Sequence, residues 1–226
     1  MADFSMRGWQ RKGVLSCHQT CLPPMNCEKL CYDAALACFR ANKGWADKAI
    51  GQLPDDKLHV SLDPNTNSIA VIMKHVAGNL LSRWTEFLTT DGEKPSRDRD
   101  DEFVDSFGSR GELIEYWETG WQRLFASLES LTPADLGRTV LIRGEPHSVP
   151  LAIQRSLAHC GYHVGQIILI ARILAGDNWK TITIPRGASA TFNQRVWGSG
   201  SYKKAADVRS QESGVRDQEK SVRKWE

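Results

Sequence analysis

The sequence has no excess of charge of either sign, which limits the partners it can attract over long distances. Its 226 residues include 29 basic and 27 acidic side chains, which gives a formal net charge of +2. A balance this close to neutral creates no extended field that would favour nucleic acid or an anionic membrane surface. We therefore expect neither nucleic acid nor a membrane as a partner.

Long apolar runs are also scarce. The longest, Val164 to Leu174, contains Gln166 and Arg172, and it is shorter than the roughly 20 residues that a membrane-spanning helix needs. The N-terminal residues contain no uninterrupted apolar core followed by a small-residue cleavage site. We therefore expect no signal peptide, no membrane span and a cytoplasmic location.

Internal repeats are absent, and the six cysteines do not suggest the disulfide framework of a short secreted protein. With 41% hydrophobic residues the chain can bury one sizeable core, so we expect reduced thiols. Small apolar residues at helical spacing predict the buried face of a first helix: Cys27, Cys31, Ala34, Cys38 and Trp45. A zinc site built from Cys17, His18 and Cys21 with later cysteines is an alternative, although these intervals differ from paired zinc knuckles.

Both ends of the chain lack sustained periodicity. Residues 1–25 mix basic residues, glycine, cysteine and consecutive prolines, which predicts a disordered extension, with Met25 as an alternative natural start. Residues 194–226 are polar and mixed in charge, which predicts a disordered tail. A single domain is therefore expected over 26–193.

Four stretches of this domain show the 3.6-residue apolar period of amphipathic helices. They run from about Asn26 to Gln52, Ile69 to Asp91, Ser109 to Leu131, and Pro150 to Ala175. The third begins with a capping-box pattern at Ser109, and residues 139–149 predict a hairpin. Residues 93–105 are dense in charge and predict a solvated surface loop, with a cap over one end of the fold as the alternative. The pattern predicts an all-α four-helix bundle with a small β-hairpin before the last helix.

The strongest chemical signal lies in the last predicted helix. His159 and His163 are four residues apart, so both imidazoles project from one face and can reach one metal ion. Arg155 and Gln166 extend this polar stripe on a helix whose C-terminal half is apolar nearly all round. That pattern predicts a buried helix with its polar stripe facing a cavity. The residues alone leave open that both histidines are hydrogen-bonded core residues.

A second polar stripe lies on the second predicted helix, where His75, Asn79 and Arg83 follow one another at four-residue steps. His75 is the only remaining histidine in a helical apolar pattern, because the other three lie in loop-like surroundings. Two such stripes facing each other would enclose a polar pocket with three histidines.

Six motifs occur in order along the chain: 67–70 (NSIA), 74–84 (KHVAGNLLSRW), 87–94 (FLTTDGEK), 158–159 (AH), 162–167 (YHVGQI) and 184–189 (IPRGAS). Together they resemble a bacterial family of uncharacterised function within the DinB/YfiT-like superfamily. The similarity runs from the first predicted helix to Asn193. It implies a DinB-like four-helix bundle, often a homodimer, with a divalent metal held by one histidine of the second helix and two of the last. Carried onto this chain, those ligands are His75, His159 and His163.

The resemblance also implies a type of chemistry. The superfamily has been linked to nickel and zinc, and to enzymes that move low-molecular-weight thiols or open small electrophiles. We expect zinc or nickel, with iron or manganese as alternatives, because three-histidine sites accept several metals. The expected function is a thiol S-transferase, or next a hydrolase, acting on a small-molecule substrate.

Four further polar residues are candidates to orient the metal ligands or the substrate: Asn79, Arg83, Arg155 and Gln166. Purely structural hydrogen bonds are the alternative for each of them. The residue after His159 is Cys160, not the glutamate base of helical zinc proteases, so peptide hydrolysis is not supported. Two other functions stay open: a non-catalytic, stress-related bundle that binds metal or a small ligand, and a metal-free dimerisation module.

Overall fold

The computed structural model describes residues 27–197. This part of the chain is mostly helical and contains one two-stranded antiparallel hairpin. Its elements are α1 (Cys27–Ile50), α2 (Asp55–Leu58), α3 (Ile69–Trp84), α4 (Arg110–Glu129), β1 (Thr139–Ile142), β2 (Glu145–Ser148), α5 (Val149–Ala175) and α6 (Ser189–Trp197). The predicted helical fold and the predicted hairpin before the last long helix are confirmed.

Serine side chains cap three of the long helices. Ser68, Ser109 and Ser148 each accept a hydrogen bond from the backbone N–H three residues later. Such a bond satisfies one of the four N–H groups that a helix start leaves without a partner. The serine half of the capping box predicted at Ser109 is confirmed, whereas the Glu112 side chain accepts from the backbone N–H of Gly108 and not from that of Ser109. The other two caps fix where the histidine-bearing helices begin.

The most buried long helix is α3, which packs along α4 and also contacts α5. Of its 16 residues, all except Leu81 and Arg83 are buried. Gly120 of α4 permits the close approach, because a Cβ at this position would lie 2.7 Å from Cα of Ala77. Polar side chains of α3 therefore point into the protein interior. The helix ends at Trp84, seven residues before the predicted end.

The predicted buried face of α1 is wrong. Cys31, Ala34 and Cys38 are exposed, whereas the buried residues include Ala35 and Phe39. The helical period was right but its phase was displaced by one residue. Burying the phenyl ring of Phe39 removes more apolar surface from water than burying a thiol, and this sets the phase. Cys17, His18 and Cys21 of the alternative zinc site lie outside the described residues.

The prediction that α5 is buried nearly all round is also wrong. Its inner side packs on α1 and α3, but more than half of Leu151, Tyr162, Leu169 and Ile173 is exposed. The segment Val149–Asn178 is long and apolar enough to cross a membrane by length and composition alone. One such helix is weak evidence, since core helices pass the same test. The absence of a membrane span stays a prediction.

The predicted disordered ends lie mostly outside the described residues. Residues 1–26, including the alternative start at Met25, and residues 198–226 are among those not described. The predicted domain boundary at Asn193 falls inside α6, so the helix continues for four residues into the predicted tail.

Candidate metal centre

Three histidines from two helices meet between α3 and α5. His75 projects from α3, and His159 and His163 project from adjacent turns of α5. One nitrogen from each ring lies within 4.8 Å of the other two. The Nε2 atoms of His75 and His159 are 3.2 Å apart, and two nitrogen ligands of one tetrahedral zinc ion lie about 3.3 Å apart. The structure therefore brings the three predicted ligands together at a spacing that fits a metal ion.

Hydrogen bonds orient two of the three rings. His75 Nδ1 lies 2.9 Å from Oε2 of Glu102, and His163 Nδ1 lies 2.8 Å from Oε1 of Gln166. The Gln166 amide donates to the Tyr162 hydroxyl, which fixes which end of the amide faces His163. Because both partners accept, each neutral ring carries its proton on Nδ1 and leaves a lone pair on Nε2. Metal-binding histidines are oriented in this way.

The third ring, His159, has a different environment. Burial, followed by the neighbouring His163 and His75, lowers the pKa of His159 to about 3. Its Nδ1 atom is buried with no hydrogen-bond partner among the described residues. Burial also lowers the pKa of His163. His159 and His163 are therefore neutral imidazoles, the form that binds metal. The unpaired buried nitrogen of His159 argues against a purely structural histidine.

Glu102 comes from the charged segment between α3 and α4, and the prediction of a solvated loop is wrong for it. Only 4% of Glu102 is exposed, and Arg97 holds both of its carboxylate oxygens at 2.7 and 2.8 Å. Burial acts to raise the pKa of Glu102, but hydrogen bonds from His75 and Arg97 outweigh it and lower that pKa. Gly78 makes the room, because a Cβ there would lie 2.9 Å from Cδ of Glu102. The ionised carboxylate is thus fixed behind His75.

Lys74 ties this loop to α3. Its Nζ lies 2.7 Å from the carbonyl oxygen of Asp101, 3.0 Å from that of Val104 and 2.8 Å from Oγ of Ser106. It also forms an ion pair with the Asp101 carboxylate at 2.8 Å. Since Lys74 precedes His75, one turn of α3 presents the histidine and anchors the loop that carries Glu102.

A cavity of about 230 Å³ lies beside the histidines. His75 and Asn79 line it from α3, and Arg155 and His159 line it from α5. The two predicted polar stripes therefore meet at one cavity, but His163 is not part of its lining. Arg83 also lines it, whereas Gln166 instead bonds to His163. This volume is below the range of about 300–1,000 Å³ that is usual for small-molecule sites, so the cavity suits a small ligand.

A family model described as a protein of unknown function, DUF1572, matches residues 28–188. The chain belongs to the DUF1572 family. The match includes all three histidines and the loop between α3 and α4. No curated protein and no solved structure matches the chain.

In this DUF1572 protein, sequence reasoning missed Glu102, Arg97 and Lys74. Charged side chains are dense between residues 93 and 105, and no period distinguishes the buried ones from the exposed ones. One local signal was available: a glycine inside a buried helix, Gly78, which marks the close approach of another group. That signal does not say which residue approaches.

Proposed function

We propose that this protein is a metal-dependent enzyme in which His75, His159 and His163 hold one divalent ion. Zinc or nickel fits three neutral imidazoles, with iron or manganese as alternatives. The observation that carries the proposal is the convergence of three ring nitrogens within 4.8 Å. Glu102 and Gln166 support it, because each accepts from a ring nitrogen and leaves the opposite nitrogen unprotonated.

An ion held by His75, His159 and His163 would supply the Lewis acidity that turns a water or a thiol into a nucleophile near neutral pH. The chain's own residues prepare the site. Glu102 holds the Nδ1 proton of His75, and Arg97 keeps that carboxylate ionised. The Phe103 ring stacks on His75 with centroids 4.7 Å apart and covers one face of the imidazole. A small substrate would enter through the cavity beside His75 and His159.

The finer assignment follows the resemblance of the motifs. We propose a DinB-like four-helix bundle made of α1, α3, α4 and α5, supported by the packing of α3 along α4 and of α1 along α5. The reaction would transfer a low-molecular-weight thiol to a small electrophile, or else hydrolyse a small substrate. The protein would act in the cytoplasm as a homodimer.

A screen of the zinc-loaded and nickel-loaded full chain with small electrophiles and candidate thiols tests this proposal. We expect turnover with at least one pair, and its loss in His159→Ala. His59→Ala is the matched control, because His59 pairs with Asp105 outside the cluster. Turnover that persists in His159→Ala would show that the reaction does not use the three histidines.

A second candidate function is a non-catalytic protein that binds a metal or a small ligand, for example in a stress response. The cavity wall favours this second function, because none of the described residues that line the cavity is a carboxylate that could act as a base. Glu102, the nearest acid to His75, is already bonded to His75 and Arg97, so it is not free to act as a base. Stoichiometric metal with no turnover across the whole panel would favour this function.

A further inference from the structure

The cavity beside the histidines has a wall rich in one type of charge. Five arginines line it, from α3, α5, the hairpin and the loop before α4: Arg83, Arg97, Arg99, Arg143 and Arg155. Two carboxylates pair with them from behind the wall, Glu102 with Arg97 and Glu93 with three of the five. Among the described residues no carboxylate lies within 4 Å of the guanidinium of Arg99 or Arg155. Asp91 also interacts electrostatically with Arg83, so five arginines face three nearby carboxylates and the wall keeps an excess of positive charge.

Among the described residues, Arg83 is the arginine of this wall that has a buried, unused hydrogen-bond donor. Its side chain is only 13% exposed, and its one close carboxylate, Glu93, is 3.5 Å away. Its Nη1 atom is buried and has no hydrogen-bond partner among residues 29–196. Burial lowers the pKa of Arg83, and although Glu93 acts to raise it, nearby arginines lower it further. A buried guanidinium with an unused donor costs free energy that a bound anion would recover.

Arg83, Arg143 and Arg155 lie toward the end of the cavity away from His75, whereas Arg97 is bonded to Glu102 behind His75. Along α3, Arg83 is eight residues after His75, which corresponds to about 12 Å of helix rise. Along α5, Arg155 is one turn before His159, and its Nη1 lies 2.9 Å from Nε2 of His147 on β2. The cavity therefore has a histidine end and an arginine end that one small molecule can span.

We propose that this cavity binds a small oxyanion, a ligand with a carboxylate or phosphate group seated on Arg83, Arg143 and Arg155. Guanidinium groups recognise these oxygens through paired, charge-assisted hydrogen bonds. An anionic group at the arginine end would leave the rest of the ligand beside His75 and His159. The idea that such an anion is the substrate rests on the proposed function. Its binding to the arginines is measured without any assay of turnover.

Isothermal titration calorimetry of the full chain tests the inference, with inorganic phosphate in one arm and succinate in the other. Each anion is titrated into the metal-free and the zinc-loaded protein. The variants are Arg83→Gln and Arg155→Gln, which remove charge but keep a hydrogen-bonding amide. Arg155 is exposed, so its variant is expected to fold even if that of Arg83 does not. Arg123→Gln, on the exposed side of α4, is the matched control.

We expect saturable binding of at least one anion to the wild type and the control, and affinity weaker by about tenfold or more in either cavity variant. The arm that binds identifies carboxylate or phosphate as the recognised group. Absence of binding in both arms would overturn the inference. The inference would also be overturned if the anion bound only to the zinc-loaded protein and with the same affinity in the wild type and all variants, because the anion would then contact the metal. If the protein cannot be loaded with zinc but still binds the anion through its arginines, this inference stands and the proposed enzyme is rejected.

Discussion

The chemistry of the histidine cluster depends on which ring nitrogen of each residue carries its proton. His75 and His163 are set by Glu102 and Gln166, so their Nε2 lone pairs are available to a shared ion. His159 lacks such a partner within 29–196 and is kept neutral by burial and by the adjacent histidines. His159 would be a poor core residue, because its Nδ1 atom is buried without a hydrogen-bond partner among the described residues.

Gly78 should be required for this arrangement. In Gly78→Ala the new methyl group meets the Glu102 carboxylate, which cannot swing away freely because Arg97 and His75 hold it. We expect zinc affinity to fall about tenfold or more, as for other losses of a ligand's hydrogen-bond partner. Competitive titration with a fluorescent zinc chelator measures this. Gly44→Ala, on α1 with open space around the site of the methyl, should leave the affinity unchanged.

Cys160 should be inert despite its place beside His159. Its thiol is fully buried, and burial raises its pKa to about 12, so it stays protonated across the physiological range. Alkylation of the native protein at pH 8 with iodoacetamide should label the exposed Cys31 and Cys38 and leave Cys160 unlabelled. Peptide mass spectrometry reads each site, and unfolding in guanidinium should expose Cys160. Rapid native labelling of Cys160 would contradict the described packing of α5.

The sequence predicted the histidines because their spacing repeats the helix period, which is a local property. Glu102 could not be found in this way, since it reaches His75 across a loop whose acids look alike in sequence. Gln166 was named because it lies three residues after His163, and the structure places the two in a hydrogen bond. Residues joined within one helix were therefore predictable from spacing. The meeting of His75 with the two histidines of α5 crosses the fold, and the resemblance of the motifs supplied it.

At the scale of elements, the contact between α3 and α4 depends on a residue without a side chain. Ala at position 120 would place its methyl 2.7 Å from Cα and 2.9 Å from the carbonyl oxygen of Ala77, which are backbone atoms. We expect Gly120→Ala to lower the free energy of unfolding by about 1–3 kcal/mol. Urea denaturation measures the change. Gly44→Ala is again the control, and equal or greater stability in Gly120→Ala would contradict this packing.

Helix starts were easier to predict than helix phases and ends. The cap at Ser109 is a short pattern that the structure reproduces. The end of α3 at Trp84 is not signalled locally, because Phe87 continues the apolar period while the chain turns at Glu86 with φ of 49°. The phase of α1 depended on whether cysteines or Phe39 faced the core, and only packing against the other helices decides that.

At the scale of the whole molecule, the exposed apolar side of α5 is where we expect the predicted homodimer to form. Leu169 is 59% exposed and Ile173 is 53% exposed, one turn apart on this helix. Sedimentation velocity should show a dimer for the full chain and a monomer for Leu169→Glu combined with Ile173→Glu. Leu62→Glu, at an exposed leucine far along the chain from α5, is the control. A monomeric wild type would reject the dimer.

The central claim is that His75, His159 and His163 hold one divalent ion, and elemental analysis tests it most directly. The full chain, purified without an affinity tag and reconstituted with zinc or nickel, should contain close to one metal ion per chain. The variant with His75→Ala, His159→Ala and His163→Ala together should contain none, while His59→Ala should match the wild type. If the wild type stays empty after reconstitution, or the triple variant keeps its metal, the histidine cluster is not a metal centre and the proposed enzyme is wrong.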